Sequence, residues 1–259
     1  MNFADAVARL RKAGVDNPRL DARLLEDHAA DGADFDALVA RRERREPVAY
    51  IIGRKEFWSL EFSVGPGVLI PRPETETLIE AVLKDYPNRD GRFAILDFGS
   101  GSGCILSALL AEYRRALGVG VEASPMAAEY AERNLKRLGL SGRGRIARSN
   151  WADFGEGCFD IVVSNPPYVK SGDIAALAPE ISEYEPPQAL DGGSDGLAAY
   201  RQLAPKMYRI LKSGGGVFVE VGAGEDKSVK HIFTSAGFVL AHALADLSGV
   251  LRVVAARKP

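Results

Sequence analysis

Apolar and polar positions along the chain change period several times, and each change marks an element. Near the N-terminus Phe3, Ala6, Val7 and Leu10 recur at helical spacing, which places them on one helix face. Asn17 and Pro18 offer an N-cap and a first helical residue, and Leu20, Leu24 and Leu25 follow on a shared face. Phe35, Leu38 and Val39 predict a third helix that runs into the charged stretch 41–46, RRERRE. The period then shortens. Trp58, Leu60, Phe62 and Val64 alternate with Ser59, Glu61 and Ser63, the pattern of a half-buried strand. Gly65-Pro66-Gly67 predicts a turn and Val68-Leu69-Ile70 a returning strand, together a hairpin.

From residue 73 strands and helices alternate. Pro73 opens a helix with Glu74 and Glu76 in its first turn, where the helix dipole favours acids. Buried strands are predicted at 93–98, 118–123, 144–150, 159–165 and 215–221, with helices at 104–113, 124–139 and 225–237. Ser124, Pro125 and Gly139 cap, open and stop the second of these helices. A long helix is expected over 195–212, kinked or split by Pro205. This alternation implies a mainly parallel sheet covered on both faces. The last two strands, 238–246 and 249–258, leave too little chain between them for a parallel crossover and must run antiparallel. The boundaries expected are a helical domain at 1–52, a hairpin linker at 53–72 and an α/β domain at 73–259.

Composition narrows the class. The chain has 259 residues, 46% hydrophobic and 26% charged, which suits an ordinary globular protein. No apolar run approaches the roughly 18 residues needed to cross a bilayer, and the N-terminus carries acid early and lacks a signal core. A cytoplasmic protein is expected. A net charge of −2 argues against a dedicated duplex-DNA binder. The run at 41–46 reads either as a solvated helix end or as a contact with an acidic or RNA-containing partner. Cys104 and Cys158 read as two buried free thiols, and the three histidines, at 28, 231 and 242, lack ligand spacing, so no metal is expected.

Two strand ends carry candidate chemistry. After the strand ILDF come Gly99, Ser100, Gly101, Ser102 and Gly103, directly before a helix. Alternate glycines let backbone approach a ligand closely, and the helix N-terminus offers free N–H groups. The spacing G-x-G-x-G departs from the dinucleotide fingerprint G-x-G-x-x-G, and no Walker lysine follows. Glu122 ends the next strand, where a carboxylate can grip both ribose hydroxyls. That feature is common to enzymes using NAD and enzymes using S-adenosylmethionine. Trp151, after the third strand, either covers an adenine ring or packs in the core.

The other strand end reads Asn165-Pro166-Pro167-Tyr168. An amide or exocyclic amine nitrogen has a delocalised lone pair and is a poor nucleophile. Two acceptors, the Asn165 side-chain oxygen and the Pro166 carbonyl, can hold its two N–H bonds and aim the nitrogen at a methyl group. Proline fixes that carbonyl because its φ is locked. Tyr168 can lie against the flat group. With an activated methyl on a sulfonium, alignment is the main task, and neither metal nor strong base is required.

These stretches, ILDFGSGSG, VEASP, SNW, SNPPYV, EPPQALDGGSDGLAAY and GRKEFWSLEFSVGPGVLIPRPETE, together resemble the HemK/PrmC family. NPPY alone is shared with adenine-N6 methyltransferases; its pairing with IPRPETE at 70–76 is far more specific. The resemblance implies a Rossmann-like class I methyltransferase fold of the α/β class, with a mostly parallel seven-stranded sheet and an antiparallel last strand. It implies transfer of a methyl group from S-adenosyl-L-methionine to the glutamine side-chain amide in the Gly-Gly-Gln motif of peptide chain release factors. By the same resemblance Gly99, Ser100, Gly101, Ser102 and Gly103 line the methionine end of the cofactor, Glu122 holds the ribose and Trp151 lies by the adenine. Asn165, Pro166, Pro167 and Tyr168 hold the glutamine amide, with Asn165 also beside the cofactor. Arg72, Pro73 and Thr75 border the active site, and Glu185 shapes the substrate mouth.

Two departures from the family pattern stand out. Phe98 and Ser100 occupy the glycine turn where Leu or Val and Thr are more usual, and Ser149-Asn150 replaces Gly-Asp, leaving Asn150 to meet the adenine edge. A monomer is expected, with no membrane contact and no stable nucleic-acid binding. The runner-up is an adenine-N6 methyltransferase on DNA or RNA, which would need a basic, aromatic-lined recognition region. A noncatalytic cofactor-binding module would predict a damaged NPPY.

Overall fold

The computed structural model describes residues 1–155 and 157–259. Helices α1 (Phe3–Lys12), α2 (Pro18–His28), α3 (Gly32–Glu43) and α4 (Val48–Ile52) open the chain. Their apolar faces meet in a small core built on Leu10, Leu25, Leu38, Val39 and Ile51. Asn2 and Asp31 cap α1 and α3 by accepting backbone N–H bonds from Asp5 and Asp34. Asn17 takes the N-cap position of α2 but makes no capping hydrogen bond, leaving Pro18 as the start signal.

A hairpin follows, with a turn displaced from the expected one. Strands β1 (Arg54–Phe57) and β2 (Leu60–Ser63) pair antiparallel, Phe57 opposite Leu60. The turn is Trp58-Ser59, both at positive φ (53° and 56°), the backbone of a tight hairpin turn usually built from Asn and Gly. Neither residue advertises that conformation. The compensation is tertiary: the Trp58 backbone N–H donates to Glu76 at 2.7 Å and its indole N–H to Glu112 at 2.8 Å. Val68 and Ile70 are buried, yet 68–70 forms no strand and instead crosses toward the sheet as a loop.

The remaining elements are α5 (Glu76–Asp85), β3 (Ala94–Phe98), α6 (Cys104–Glu112), β4 (Leu117–Glu122), α7 (Pro125–Arg137), β5 (Gly144–Arg148) and β6 (Phe159–Ser164). After β6 come α8 (Pro179–Ser182), α9 (Ala198–Ile210), β7 (Leu211–Glu220), α10 (Asp226–Ser235), β8 (Val239–Ala245) and β9 (Leu251–Arg257). Seven strands form one sheet in the order β5-β4-β3-β6-β7-β9-β8. Pairs from β5 through β7 are parallel, and β9 runs antiparallel to both β7 and β8. The expected antiparallel last strand is therefore present. Alternation sorts side chains between two cores. Ile95, Ile161, Val163, Phe218 and Val253 face the layer with α5, α6 and α7. Leu96, Val162, Val217, Val219 and Val254 face the layer with α9 and α10. Each such side chain fully buried contributes about 1.5–3 kcal/mol.

Of the two expected effects of Pro205, splitting does not occur: α9 runs unbroken through it. It sits on the exposed side of the helix, while Leu203, Ala204, Met207 and Ile210 are buried. The carbonyl it deprives of a helical partner belongs to Arg201, itself exposed. Packing of the apolar face offsets the loss. Cys104 is buried as expected, but Cys158 is exposed, because it stops one residue short of β6 and never enters the sheet.

The charged run at 41–46 is neither simply solvated nor left for a partner. Arg42 is buried; its Nε donates to Asp21 at 2.7 Å and its Nη2 to Glu180 at 2.8 Å. Arg45 donates to both oxygens of Glu180, at 2.7 and 2.6 Å, and Arg41 pairs with Glu46. The Tyr184 hydroxyl donates to the Arg44 carbonyl at 2.6 Å. These bonds fasten the N-terminal helices to the segment around α8. Burial pushes the Asp21 carboxyl up, and Arg42 opposes that rise.

Breaking a buried ion pair strands its partner, so Arg42→Ala should destabilise the fold by about 3 kcal/mol. Arg44→Ala, on an exposed side chain, should change stability by no more than about 0.5 kcal/mol. Urea denaturation of the two variants checks the contrast.

Candidate active site

The strand order reverses between β3 and its neighbours: β4 and β5 lie on one side, β6 and β7 on the other. A parallel sheet leaves a crevice at such a switch point, beyond the carboxyl ends of its strands. A cleft of about 650 Å³ lies there. Gly99, Ser100, Gly101 and Ser102 line it after β3, Glu122 after β4 and Trp151 after β5. Asn165 and Pro167 line it after β6, and Arg72 and Thr75 close one side. A wider surface groove of about 830 Å³ behind the hairpin, around Trp58, Arg89 and Glu112, shares no lining residue with it.

Four expected site residues lie off the cleft wall. Gly103 caps α6 at φ 77°, and a Cβ there would come within 3.2 Å of Ala131, so its task is the turn and the contact between α6 and α7. Pro166, Tyr168 and Pro73 are not among the lining residues. Pro73 begins a short 3-10 turn, Pro73–Thr75, that leads into α5.

The glycine loop is fixed from several directions. The N–H groups of Gly99 and Ser100 donate to the Val121 carbonyl at 2.8 and 3.2 Å. Gly101 has φ 55°, and a Cβ there would meet nothing within 4 Å; the backbone is bare on the side where a ligand would approach. Asn134 of α7 is fully buried and joins loop to hairpin, donating to the carbonyls of Ser102 (2.9 Å) and Ser63 (3.0 Å) and accepting from the Ser63 N–H (2.8 Å). Glu122 is held by two backbone donors, Gly101 to Oε2 and Ser124 to Oε1, both at 2.8 Å. Each oxygen keeps a further lone pair for a hydroxyl. The Trp151 indole donates to Gln202 of α9 at 3.1 Å, and a Cβ on Gly99 would lie 3.8 Å from the ring. Asn150 uses its side-chain oxygen on the Ala152 N–H at 3.1 Å, which leaves its amide nitrogen as the free group.

On the other side of the switch point, the Asn165 Nδ2 donates to the Thr75 hydroxyl at 3.2 Å. Among the described residues neither the Asn165 Oδ1 nor the Pro166 carbonyl accepts a hydrogen bond. The Tyr168 hydroxyl donates to Glu220 at 3.2 Å, and burial, then Glu220, raise its pKa. Backbone crowds this tyrosine: a Cβ on Gly196 would stand 2.6 Å from the Tyr168 carbonyl, and one on Gly192 2.8 Å from its Cα. Val169 and Leu190, then Gly192 and Val169, exchange backbone hydrogen bonds at 2.9 and 2.8 Å. The NPPY turn is thereby stapled to the segment that follows EPPQAL. At the mouth Arg72 pairs with Glu185, whose other oxygen accepts from the Ile70 N–H at 3.3 Å. Burial raises the Glu185 pKa and Arg72 opposes it.

Sequence reasoning passed over three residues. Gln202 steadies Trp151 and gives no signal in an amphipathic helix. Asp97 and Glu220 did give one, since each interrupts an apolar strand. Asp97 is fully buried, and neither carboxylate oxygen has a partner among the described residues. Burial, reinforced by the Glu122 charge, lifts its pKa from 3.8 to about 7. An unpartnered acid under a glycine loop suits a cationic ligand.

A carboxyl that holds its proton to about pH 7 when folded, but loses it near pH 4 when unfolded, binds more protons in the folded state between those values. Stability should therefore fall as pH rises from about 4 to 7, by roughly 4 kcal/mol at most. Asp97→Asn should flatten that slope in urea denaturation across the same range; an equal slope in both proteins would refute the assignment.

Residues 73–204 match the family model described as the methyltransferase small domain. A release factor glutamine methyltransferase of Caulobacter vibrioides is 43% identical over 265 residues, covering 95% of this chain and 91% of that protein. One of Rhodospirillum rubrum is 42% identical over 268 residues, covering 96% and 82%. Among solved structures, a methyltransferase from Pyrococcus furiosus superposes with a TM-score of 0.55 at 18% identity, covering 87% of this chain and 98% of that one. At that identity the superposition speaks for the fold, and the nearly full-length relatives speak for the family. The chain belongs to the family of release factor glutamine methyltransferases.

Proposed function

We propose that this protein transfers a methyl group from S-adenosyl-L-methionine to the side-chain amide nitrogen of the glutamine in the Gly-Gly-Gln motif of peptide chain release factors. The observation that carries this reading is a pair of acceptors unused among the described residues, Asn165 Oδ1 on a residue of the cleft wall and the carbonyl of Pro166, the next residue in the chain. Two fixed acceptors match the two N–H bonds of a primary amide. Holding both hydrogens in the amide plane turns the nitrogen lone pair toward the transferable carbon, so alignment does the work. Bound S-adenosylmethionine supplies the activated methyl.

The lining residues fit that cofactor. Glu122 offers free lone pairs to a ribose diol, Trp151 a flat face to adenine, and Gly99 to Ser102 bare backbone to the methionine end. Asn150 presents its amide nitrogen, a donor, toward the adenine side, in place of the acid usual in the family. Arg72, fixed by Glu185, borders the mouth through which glutamine enters.

Residues 1–52 serve in this reading as the unit that docks the release factor, 53–72 as the linker and 73–259 as the methyltransferase domain. The protein acts as a cytoplasmic monomer on a protein rather than a nucleic acid. Arg41, Arg42 and Arg45 are all engaged by acids and offer no ready phosphate-binding patch. Among the described residues no helix is long and apolar enough to cross a membrane.

Incubation with labelled S-adenosylmethionine, release factor and nucleic acid, followed by mass spectrometry, tests the assignment. Label is expected on the glutamine; label on adenine alone would overturn it. Asn165→Ala should bind cofactor yet lose transfer about 10²-fold or more. Glu122→Ala should weaken cofactor binding roughly 10- to 100-fold by calorimetry.

A further inference from the structure

The N-terminal helices meet the rest of the chain at two places. At the first, Ala49 and Tyr50 of α4 join the core that contains the hairpin, and the Tyr50 hydroxyl donates to the Val68 carbonyl at 2.6 Å. The core of α1 to α3 is separate from that one. The second place is small. Among the described residues, every hydrogen bond and ion pair that residues 1–47 make beyond residue 52 ends on Glu180 or Tyr184. Glu180 Oε1 accepts from Arg42 Nη2 and Arg45 Nε, and Oε2 accepts from Arg45 Nη2. The Tyr184 hydroxyl donates to the Arg44 carbonyl just past α3. Arg45 keeps its grip at φ 65°, a left-handed backbone that usually calls for glycine after a helix. Strain retained where glycine would relieve it points to a task for the side chain.

The same short segment reaches the mouth of the cleft. Glu185, next after Tyr184 and 3% exposed, pairs with Arg72 and accepts from the Ile70 N–H. Arg72, Pro186, Gln188 and Ala189 line the cleft. Residues 180–189 therefore touch α3 at one end and the cleft at the other. A body attached at one point can pivot about it, and a second attachment stops the pivot. We propose that Glu180 is a positioning residue: by clamping Arg42 and Arg45 it fixes residues 1–47 relative to the mouth, and so sets the reach between a release factor docked on the helices and the glutamine entering the cleft. This rests on the reading of residues 1–52 as the unit that docks the release factor. The clamp contributes alignment alone. A factor held at the wrong reach presents its glutamine at a lower effective concentration, whereas a short peptide has no second contact to satisfy.

Glu180→Gln separates this from a purely structural role. The variant keeps the size of the side chain and turns an –NH2 toward the guanidinium groups, while Arg42 retains Asp21 as its partner. Expected are a kcat/KM for intact release factor reduced about tenfold and one for a short Gly-Gly-Gln peptide within about twofold of wild type. Cofactor affinity by calorimetry should stay within about threefold. Equal losses on both substrates, or none on the intact factor, would overturn the proposal. Should Glu180→Gln fail to fold, Arg45→Gly removes most of the clamp at a position whose backbone suits glycine. It should show the same selective loss on the intact factor, and wild-type turnover there is equally fatal. Distances between spin labels give a readout without substrate. With Cys158→Ser removing the exposed thiol, labels at Arg11→Cys on α1 and Lys84→Cys on α5, both exposed positions, report how the helices sit against the sheet domain. Their distance distribution should broaden in Glu180→Gln, and an unaltered one overturns the proposal. A wild type that treats peptide and intact factor alike would remove the docking role of residues 1–52 and the proposal with it. One inactive on both would sink the glutamine assignment instead, leaving the spin-label distances to decide the clamp.

Discussion

The parallel pairing of β3 with β6 is the contact on which the rest of the site depends. Ile95 lies opposite Ile161, and the register continues to Phe98 opposite Ser164. At the last pair the Ser164 hydroxyl donates to the Phe98 carbonyl at 2.8 Å, which pins the two strand ends together. The glycine loop begins at the next residue of one strand and the NPPY turn at the next residue of the other. Since consecutive strands β3, β4 and β5 build outward on one side, β6 is the first strand to return across β3. The reversal needed to cover both faces with helices is also what sets two distant sequence motifs side by side.

The carboxyl edge of the sheet is where the chain departs from the apolar pattern that built it. Asp97 and Glu220 are buried there, and Glu185 is buried in the loop after α8; burial raises the pKa of each. A fold selected only for stability would place valine or leucine at such strand ends. Departures from local consistency that cluster at one edge mark where a protein spends stability on function. The three acids differ in how they are answered. Glu185 has Arg72, Glu220 has the Tyr168 hydroxyl on one oxygen, and Asp97 has no partner among the described residues.

Most of the architecture was legible because it follows from period. The parallel strands, the antiparallel end and the first three helices are written in spacing, cap residues and loop length. The failures share one cause: a local signal answered by a distant residue. The hairpin turns at Trp58-Ser59, where Glu76 and Glu112 hold a backbone that the local residues disfavour; Gly65-Pro66-Gly67 does turn the chain, the Val68 N–H donating to the Gly65 carbonyl at 3.3 Å, but no strand returns from it. The arginines at 42 and 45 looked like surface charge until α8, well over a hundred residues later, supplied Glu180. Of the residues read from motifs, Gly99 to Ser102, Glu122, Trp151, Asn165, Pro167, Arg72 and Thr75 line the cleft and four do not, while Gln202, which meets Trp151, had no motif to betray it.

Glu122 is already fastened by Gly101 and Ser124, so on the proposed reading a ribose would meet a carboxylate that needs no ordering. The same readiness serves the spent nucleoside equally, because transfer leaves its sugar untouched. A grip that cannot tell fresh donor from by-product would stall the cycle after one round. What changes on transfer is the charge on sulfur, so any preference for fresh donor over by-product has to come from groups other than Glu122.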